Sequence, residues 1–273
     1  MTPIPITDCD DPRVAEFRHL NDSAIRRQLE APSSFHQGIL VAEGWLAVER
    51  LLPSRHPVRA VLIDDARRDR VAELLGGRPA RANFPLYAAE RAVLDAIVGF
   101  PMHRGIVAVA ERGRPQLSSQ VIGRARRMVV LEGVNDAENL GAICRNAVAL
   151  GADALLVDPT SADPLSRRSI RVSTGHALAL PHARLAWPEG LEQLTAAGVR
   201  VIAFTPAPNA QPVDEVEIAP EERVALLFGA EGPGLSEDAL RLASESVRIP
   251  MAGHVDSLNI AAASAIAAHR LFG

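Results

Sequence analysis

Asn139 and Arg145 stand six residues apart in the stretch NLGAICR, and their side chains could carry chemistry. Helix geometry places Asn139 at the helix start, where it can cap the helix or meet a ligand. Arg145 follows about two turns later on an otherwise apolar helix, and Gly141 in the first turn destabilises a helix unless close approach is needed. Arg145 is therefore either an exposed arginine in a surface ion pair or a guanidinium that faces a ligand.

A glycine-rich loop supplies a second candidate, Glu231. The apolar run 224–228 reads as a buried parallel strand, and three glycines follow between residues 229 and 234. Glycine lets the backbone approach a ligand closely, and open α/β sheets bind ligands at the carboxyl ends of their strands. Glu231 either fixes the turn or bonds to a ligand or to Arg145.

The last stretch of the sequence likewise consists of a strand followed by a loop. Residues 247–249 read as a short strand, 250–256 as a polar loop, and Ser257 as the N-cap of a helix over 258–271. Asn259 lies in the first turn of that helix, so its amide can reach the loop. The helix consists largely of alanine, which predicts either a tight helix–sheet contact or a helix threaded into a confined space.

A compact basic group forms the third candidate. Arg167, Arg168 and Arg171 lie close together, and the segment RVSTG contains Arg171 and Ser173. A guanidinium fork and a hydroxyl can grip a phosphate together. The alternative is an ordinary polar surface loop.

Alternating strands and helices must position these residues, and apolar periodicity predicts them along most of the chain. A polar, helix-leaning segment spans 1–35, with a charged run at 26–30. In the first half, strands are predicted at 38–42, 58–63, 84–87 and 106–110, with helices at 43–52, 65–75 and 89–98. In the second half, strands are predicted at 128–131, 154–157, 199–204 and 224–228, with helices at 140–150 and 191–197.

This pattern predicts two α/β domains joined by a polar segment with Gly, Pro and Ser. The predicted N-terminal domain spans 1–112, the linker 113–123 and the C-terminal domain 124–273. Arginines flank the linker at both ends. The linker is therefore either a solvated connector or a strip that contacts phosphates.

Composition limits the function classes. The chain has 273 residues, of which 48% are hydrophobic, and a formal net charge of −4, which argues against a generic polyanion coat. All 29 basic residues are arginine, and the two cysteines fit neither a disulfide framework nor a metal-ligand spacing. No signal peptide and no membrane-spanning run are recognised, so we expect a cytoplasmic protein without a membrane or metal partner.

Three segments of the second half resemble the signature motifs of the SpoU/TrmH family of RNA ribose 2′-O-methyltransferases, in the SPOUT superfamily. They are NLGAICRNA, LLFGAEGPGLS and IPMAGHVDSLNIAAASAIAAHRL, with RVSTG similar to a further family segment between the first two. The resemblance covers residues 128–273. In the first half, FHQGILVAEGWLAVERLL is similar to the family's substrate-binding domain, which has a ribosomal-protein-like α/β fold.

The resemblance implies a C-terminal SPOUT α/β domain with a trefoil knot, a rare topology. It also implies a homodimer with the active site near the dimer interface. S-adenosylmethionine would sit bent in the knot, held largely by backbone contacts from Gly229, Ile249 and Leu258.

The implied reaction is an SN2 methyl transfer to a ribose hydroxyl of rRNA or tRNA. The candidate catalytic arginine corresponds to Arg145, supported by Asn139, Glu231, Ser257 and Asn259. A guanidinium stays protonated in proteins, so we expect Arg145 to hold the adjacent phosphate and stabilise oxyanion charge. The proton would leave through Ser257, water or a substrate phosphate.

Two other function classes compete with this interpretation. One is a non-catalytic protein of the same fold that binds S-adenosylmethionine or RNA, which the intact set of candidate residues disfavours. The other is a Rossmann dinucleotide enzyme, but G-x-G-x-x-G follows the first strand of neither domain.

Overall fold

The computed structural model describes residues 2–21, 38–76, 84–253 and 255–273. The charged run predicted at 26–30 lies outside these residues, as does His254. Contacts divide the chain into two compact units, which we describe separately. The first unit comprises Met1–Arg114 and Leu165–Ala179, and the second comprises Pro115–Pro164 and Leu180–Gly273.

The strands, in chain order, are β1 (Ile4–Ile6), β2 (Ile39–Glu43), β3 (Val58–Asp64), β4 (Leu86–Ala89), β5 (Ile106–Glu111), β6 (Arg127–Glu132), β7 (Ala154–Val157), β8 (His182–Arg184), β9 (Arg200–Phe204), β10 (Gln211–Pro212), β11 (Val224–Gly229) and β12 (Glu245–Arg248). The α-helices are α1 (Trp45–Leu51), α2 (Arg68–Gly76), α3 (Arg91–Val98), α4 (Ser118–Arg124), α5 (Ala137–Ala149), α6 (Arg167–Val172), α7 (His176–Ala179), α8 (Glu189–Ala196), α9 (Glu237–Leu242) and α10 (Ile260–Phe272). No described helix has the length and apolarity that crossing a bilayer requires.

The first unit is a mixed sheet with the strand order β1-β4-β3-β5-β2 among the described residues. Its strands β1, β4 and β3 are parallel, and β5 runs antiparallel to both β3 and β2. Both faces of this sheet are buried. Alternate residues of each strand point to opposite faces, and they pack into two different hydrophobic clusters. One cluster contains Val41 and Leu62, and the other contains Leu40 and Ile63.

The segment Leu165–Ala179 belongs to the packing of the first unit. Helix α6 contacts β2, and α7 contacts α1. The side chains of Leu165, Ile170 and Leu178 complete the cluster that contains Leu40. This segment therefore covers one face of the first sheet, although it lies within the predicted C-terminal domain.

The second unit is a parallel sheet with the strand order β10-β12-β9-β11-β6-β7-β8 within the described ranges. Its central strands are continuous apolar runs buried on both faces, as the sequence predicted. The expected α/β class with parallel strands is confirmed. Because every paired strand runs in the same direction, the carboxyl ends meet at one edge of the sheet.

The last helix, α10, packs against α5 and β11. Ala261, Ser264, Ala267 and Ala268 are buried, and their small side chains allow the close contact expected from the sequence. The Asn146 amide on α5 donates a hydrogen bond to the Ala261 carbonyl over 3.0 Å. The tight helix contact that the alanines predicted is present.

Several elements differ from the sequence-based expectation. The last helix begins at Ile260, and its N-cap is Asn259 rather than Ser257. Part of the predicted linker forms helix α4. The sequence did not predict the strands β1, β8 and β10 or the helices α6, α7 and α9. The domain boundaries at 112 and 123 stay predictions.

A buried histidine makes the stability of the first unit depend on pH. His56 is 2% exposed, its Nδ1 lies 3.2 Å from the Glu111 carbonyl, and its Nε2 has no hydrogen-bond partner within the described residues. Burial, reinforced by the charge of Arg55, lowers the pKa of His56 to about 4. The folded state therefore excludes a proton that the unfolded chain binds below about pH 6.5.

We expect the buried, neutral His56 to cost no stability above about pH 6.5. As the pH falls from 6.5 towards 4, the free energy of unfolding should decrease by up to about 3 kcal/mol, because only the unfolded chain binds the proton. Urea unfolding of the intact chain at several pH values in this window measures the loss. The variant His56→Gln removes the titrating group and should flatten the pH dependence. An equally steep dependence in the variant would contradict the assignment.

Candidate active site

A cavity of about 280 Å³ opens at the carboxyl edge of the second sheet. Its walls come from the ends of three neighbouring strands and from the stretch before α10. Gly229, Ile249 and Leu258, the three residues predicted to contact the cofactor, all line it. Phe204 and Phe228 also line it, stacked with ring centroids 4.8 Å apart. The cavity is thus largely apolar, and Glu231, Asp256 and Ser257 add polar groups to its lining.

The glycine loop folds back tightly on the end of β11. The Gly234 amide donates to the Ala230 carbonyl over 3.0 Å, which closes the loop. A Cβ built on Gly229 would lie 2.2 Å from the carbonyl carbon of Gly234, so only glycine fits there. The close approach predicted for this glycine is therefore between two parts of the loop itself.

Three predicted catalytic residues meet in one hydrogen-bond network. The Asn259 amide donates to Asn139 Oδ1 over 2.9 Å and to Glu231 Oε1 over 2.7 Å. The side-chain oxygen Oδ1 of Asn259 accepts hydrogen bonds from Ala261 N and Ala262 N, which caps α10. One side chain therefore joins the start of α5, the glycine loop and the start of α10.

Arg145 and Ser257 stand outside this network. Both are exposed, and neither has a hydrogen bond or an ion pair within the part of the chain that the structure describes. Among the described residues Glu231 accepts a hydrogen bond from Asn259 and has no bond to Arg145, while contact of Glu231 with a ligand stays a prediction. The Arg145 guanidinium is consequently available to an anionic ligand, and the Ser257 hydroxyl lies at the cavity wall.

Replacing Asn259 with alanine should cost about 1–2 kcal/mol of stability through the lost cap and should weaken binding of a ligand in the cavity through the lost bridge. The variant Asn259→Ser is a matched control, because serine restores the cap but cannot span Asn139 and Glu231. We expect Asn259→Ser to recover stability, measured by thermal unfolding, but not the methyl transfer that the sequence resemblance implies, measured with a labelled methyl group. Full activity in Asn259→Ala would contradict a role for the bridge.

Two carboxylates at the ends of β6 and β7 hold the loops of the site. Glu132 accepts from the Trp187 indole over 2.8 Å and from Ser236 N over 2.9 Å, just after the glycine loop. Asp158, 3% exposed, accepts from Gly133 N over 3.0 Å, in the loop that leads to α5. These bonds fix both loops to the sheet edge.

Asp158 is ionised despite its burial. Burial alone would raise its pKa, but hydrogen bonds from Ser161, Thr160 and Gly133 outweigh it and lower the pKa. The Ser161 hydroxyl also accepts from Val134 N over 3.0 Å. The charge of Asp158 thereby organises the loop before Asn139.

The predicted phosphate-binding residues Arg171 and Ser173 lie in the first unit. Arg171 is 3.7 Å from the carboxylate of Glu43, which Arg167 contacts at 2.8 Å. Ser173 is fully buried, and its hydroxyl donates to the Ile170 carbonyl over 3.1 Å. Phosphate contact by Ser173 stays a prediction that this placement does not support.

Sequence reasoning missed several residues of the site. Phe204 and Thr205 at the end of β9 line the cavity, and Glu132 and Asp158 support it. Their position directly after predicted strands was a usable signal, because the carboxyl ends of parallel strands converge. Cys144 on α5 is fully buried, and burial raises its pKa to about 12, so its thiol is unreactive.

The sequence did not predict a metal site. Among the described residues of the second unit, no three His, Cys, Asp or Glu side chains lie close enough together to hold a metal ion. The ligand atoms of Asp8, Cys9 and Asp10 in the first unit lie within 4.8 Å of one another. Asp8 and Asp10 are exposed, an arrangement that is common without an ion. We assign no metal to it.

Comparison with known proteins identifies two matching family models. The model described as the SpoU rRNA Methylase family matches residues 126–269. The model described as RNA 2′-O ribose methyltransferase substrate binding matches residues 41–116. The resemblance found in the sequence motifs is confirmed.

Individual relatives cover most of the chain. "Uncharacterized tRNA/rRNA methyltransferase Rv0881" of Mycobacterium tuberculosis is 44% identical over 96% of this chain and 89% of its own length. The 23S rRNA (guanosine-2′-O-)-methyltransferase RlmB of Burkholderia sp is 33% identical over 77% of this chain and 85% of its own. The crystal structure of AdoMet-bound rRNA methyltransferase from Sinorhizobium meliloti aligns with a TM-score of 0.79 and 25% identity, covering 98% and 96% of the two chains. The chain therefore belongs to the SpoU rRNA methylase family.

Proposed function

We propose that this chain transfers the methyl group of S-adenosylmethionine to a ribose 2′-hydroxyl of rRNA or tRNA in the cytoplasm. One observation carries the proposal. The cavity lined by Gly229, Ile249 and Leu258 adjoins the network of Asn139, Glu231 and Asn259. The relatives named as RNA methyltransferases support the same reaction class.

The cavity suits the proposed cofactor. Apolar side chains such as Phe204, Ile249 and Leu258 can enclose an adenine ring, while the backbone of the glycine loop offers hydrogen bonds. The carboxylates of Glu231 and Asp256 line the same cavity and favour a cationic ligand. When bound, S-adenosylmethionine supplies an electrophilic methyl group on a sulfonium.

The protein's contribution is positioning and electrostatics. In the proposed arrangement Arg145 binds the phosphate next to the target ribose and stabilises the oxygen as it loses its proton. Ser257 at the cavity wall, a water or a substrate phosphate accepts that proton, because a guanidinium cannot. Asn259 keeps Asn139 and Glu231 at fixed distances, so the loops on both sides of the cavity stay aligned.

The proposal includes the trefoil knot of the SPOUT superfamily. Strand β12 pairs with β9, yet the helix that follows it packs on α5 and β11. Ile249, Ser257 and Leu258 line the same cavity as the glycine loop, so described residues between β12 and α10 lie beside that loop. A tail threaded through a loop would bring these residues to the same place, which supports the proposal.

The proposal also includes a homodimer. Val255 and Ile266, before and within α10, are each 42% exposed and would be buried in a subunit contact. Sedimentation equilibrium should give twice the mass of one chain, and Ile266→Glu should give a monomer with little activity. A monomeric and fully active wild-type protein would contradict this part of the proposal.

The decisive experiment maps ribose methylation in rRNA and tRNA from cells with and without the gene. We expect one 2′-O-methyl site to be lost and to return with the wild-type gene, but not with an Arg145→Ala copy. Purified protein should transfer labelled methyl from S-adenosylmethionine to the unmethylated RNA. An unchanged map, with cofactor binding but no transfer, would favour the non-catalytic alternative.

A further inference from the structure

We propose that one edge of the first sheet is an RNA-binding surface formed by Trp45, Arg67, Arg70 and Arg104, which we call the arginine edge. It grips phosphates with its guanidinium groups and stacks an unpaired base on Arg70 and Trp45. This inference rests on the proposed function, because it takes RNA as the substrate. It adds which residues of the first unit hold that RNA.

Strand directions bring these four side chains together. Strands β2 and β3 both run antiparallel to β5, so the carboxyl ends of β2 and β3 lie beside the amino end of β5. Trp45 follows β2, Arg67 and Arg70 follow β3, and Arg104 precedes β5. Residues from three separate stretches therefore share one edge.

Contacts between the stretches fix the surface. The Trp45 indole donates to the Arg104 carbonyl over 2.8 Å, and the guanidinium of Arg70 lies 4.2 Å from the indole centroid. Gly44, with φ +95°, leaves space for the Arg104 side chain, because a Cβ there would lie 2.7 Å from Arg104 Cδ. The Trp45 ring is thus fixed by the backbone of Arg104 and carries the guanidinium of Arg70 on one face.

Arg67 extends the same surface. Its Cγ would lie 3.4 Å from a Cβ built on Gly105, the residue after Arg104. Arg67, Arg70 and Arg104 are all exposed. Three exposed arginines therefore lie on the edge that carries the Trp45 indole.

The positive charge of this strip is not cancelled locally. Glu43 and Asp64 at the same edge are buried and paired, with Arg167 at 2.8 Å and with Arg91 at 2.9 Å. Asp65 is paired with Arg68. Within the described residues no ion pair joins Arg67, Arg70 or Arg104 to a carboxylate. Asp69 and Glu73 on α2 are exposed as well, but no ion pair joins either of them to the three arginines among the described residues. In a protein of net charge −4, three unpaired arginines thus share this edge.

This combination fits single-stranded or looped RNA. A guanidinium fork matches two phosphate oxygens, and unpaired bases stack on aromatic rings and on guanidinium planes. The Arg70–Trp45 stack offers such a plane, flanked by two further arginines for the backbone. The family model described as substrate binding covers all four residues.

The test uses full-length protein and unmethylated RNA from a strain that lacks the gene. The double variant Arg67→Gln/Arg104→Gln should raise the KM for RNA at least about tenfold, with kcat nearly unchanged. The negative slope of log affinity against log salt concentration should become shallower by roughly 1.4, because two phosphate contacts on single-stranded RNA are lost. The control Arg13→Gln/Arg59→Gln removes the same charge from arginines already paired with Asp11 and Glu16 and should change neither value.

Tryptophan fluorescence gives an independent measurement. The chain has two tryptophans, so the variant Trp187→Phe leaves Trp45 as the only one that emits. A short single-stranded RNA should quench the emission of this variant. A KM and salt slope equal to wild type in the Arg67/Arg104 variant, or emission of Trp187→Phe that bound RNA leaves unquenched, would overturn the inference. A wild-type protein that methylates no RNA would instead refute the proposed function.

Discussion

Replacing Arg145 with alanine is expected to lower the kcat of methyl transfer by about 10²- to 10³-fold, the cost of removing one charge-stabilising donor. Stability and affinity for S-adenosylmethionine should not change, because Arg145 is exposed and has no partner among the described residues. Single-turnover transfer of labelled methyl at saturating cofactor measures the effect. Isothermal titration with the cofactor provides the parallel measurement of binding.

The variant Arg145→Lys separates charge from geometry. Lysine keeps the positive charge but loses the planar fork that holds two phosphate oxygens, so we expect activity between alanine and wild type. If Arg145→Ala kept full transfer at saturating RNA and cofactor, the proposed role would be wrong. A loss that disappears when RNA is raised to saturation would assign Arg145 to binding alone.

The second large effect is expected from Gly229→Ala. The new Cβ would lie 2.2 Å from Gly234 C and 2.4 Å from Leu235 N, which are backbone atoms and cannot move aside cheaply. The glycine loop must therefore shift, at a cost of about 1–3 kcal/mol, and the cofactor cavity must change shape. Binding of S-adenosylmethionine should fall at least tenfold (about 1.4 kcal/mol), and methyl transfer should become undetectable.

Gly123→Ala is the matched control for this substitution. Gly123 lies in helix α4, and a Cβ built there meets no heavy atom within 4 Å. Alanine favours a helix over glycine, so this variant should be as stable as wild type or more so, with normal activity. Normal cofactor affinity in Gly229→Ala would show that the loop tolerates displacement and would refute this prediction.

The central strands of the second unit, β6, β7, β9 and β11, could be predicted from the sequence, because each is a largely apolar run. Strands β8 and β10 are short and lack such a run, so the sequence did not predict them. The convergence of Asn139, Glu231 and Asn259 followed from the family resemblance and from the rule that parallel strands share a carboxyl edge. Their mutual bonds did not follow, because they depend on where the chain crosses that edge. Ser257 and Asn259 are both good caps, and only the packing of α10 selects Asn259.

The arginine-rich segment illustrates a different limit. Arg167 and Arg171 read as a phosphate grip, but their partner Glu43 lies more than 120 residues earlier in the chain. No local pattern announces an ion pair at that separation. Asp158 was missed for a similar reason: the hydrogen bond that it accepts comes from Gly133, in a different loop of the chain.

The bond from Asn259 to Asn139 spans 120 positions of the chain. During synthesis this bond cannot form before the polypeptide has been made through Asn259 and helix α10, on which Asn259 is the cap. A nascent chain that ends before Asn259 therefore lacks the assembled network. A product terminated shortly before Asn259 should accordingly be inert.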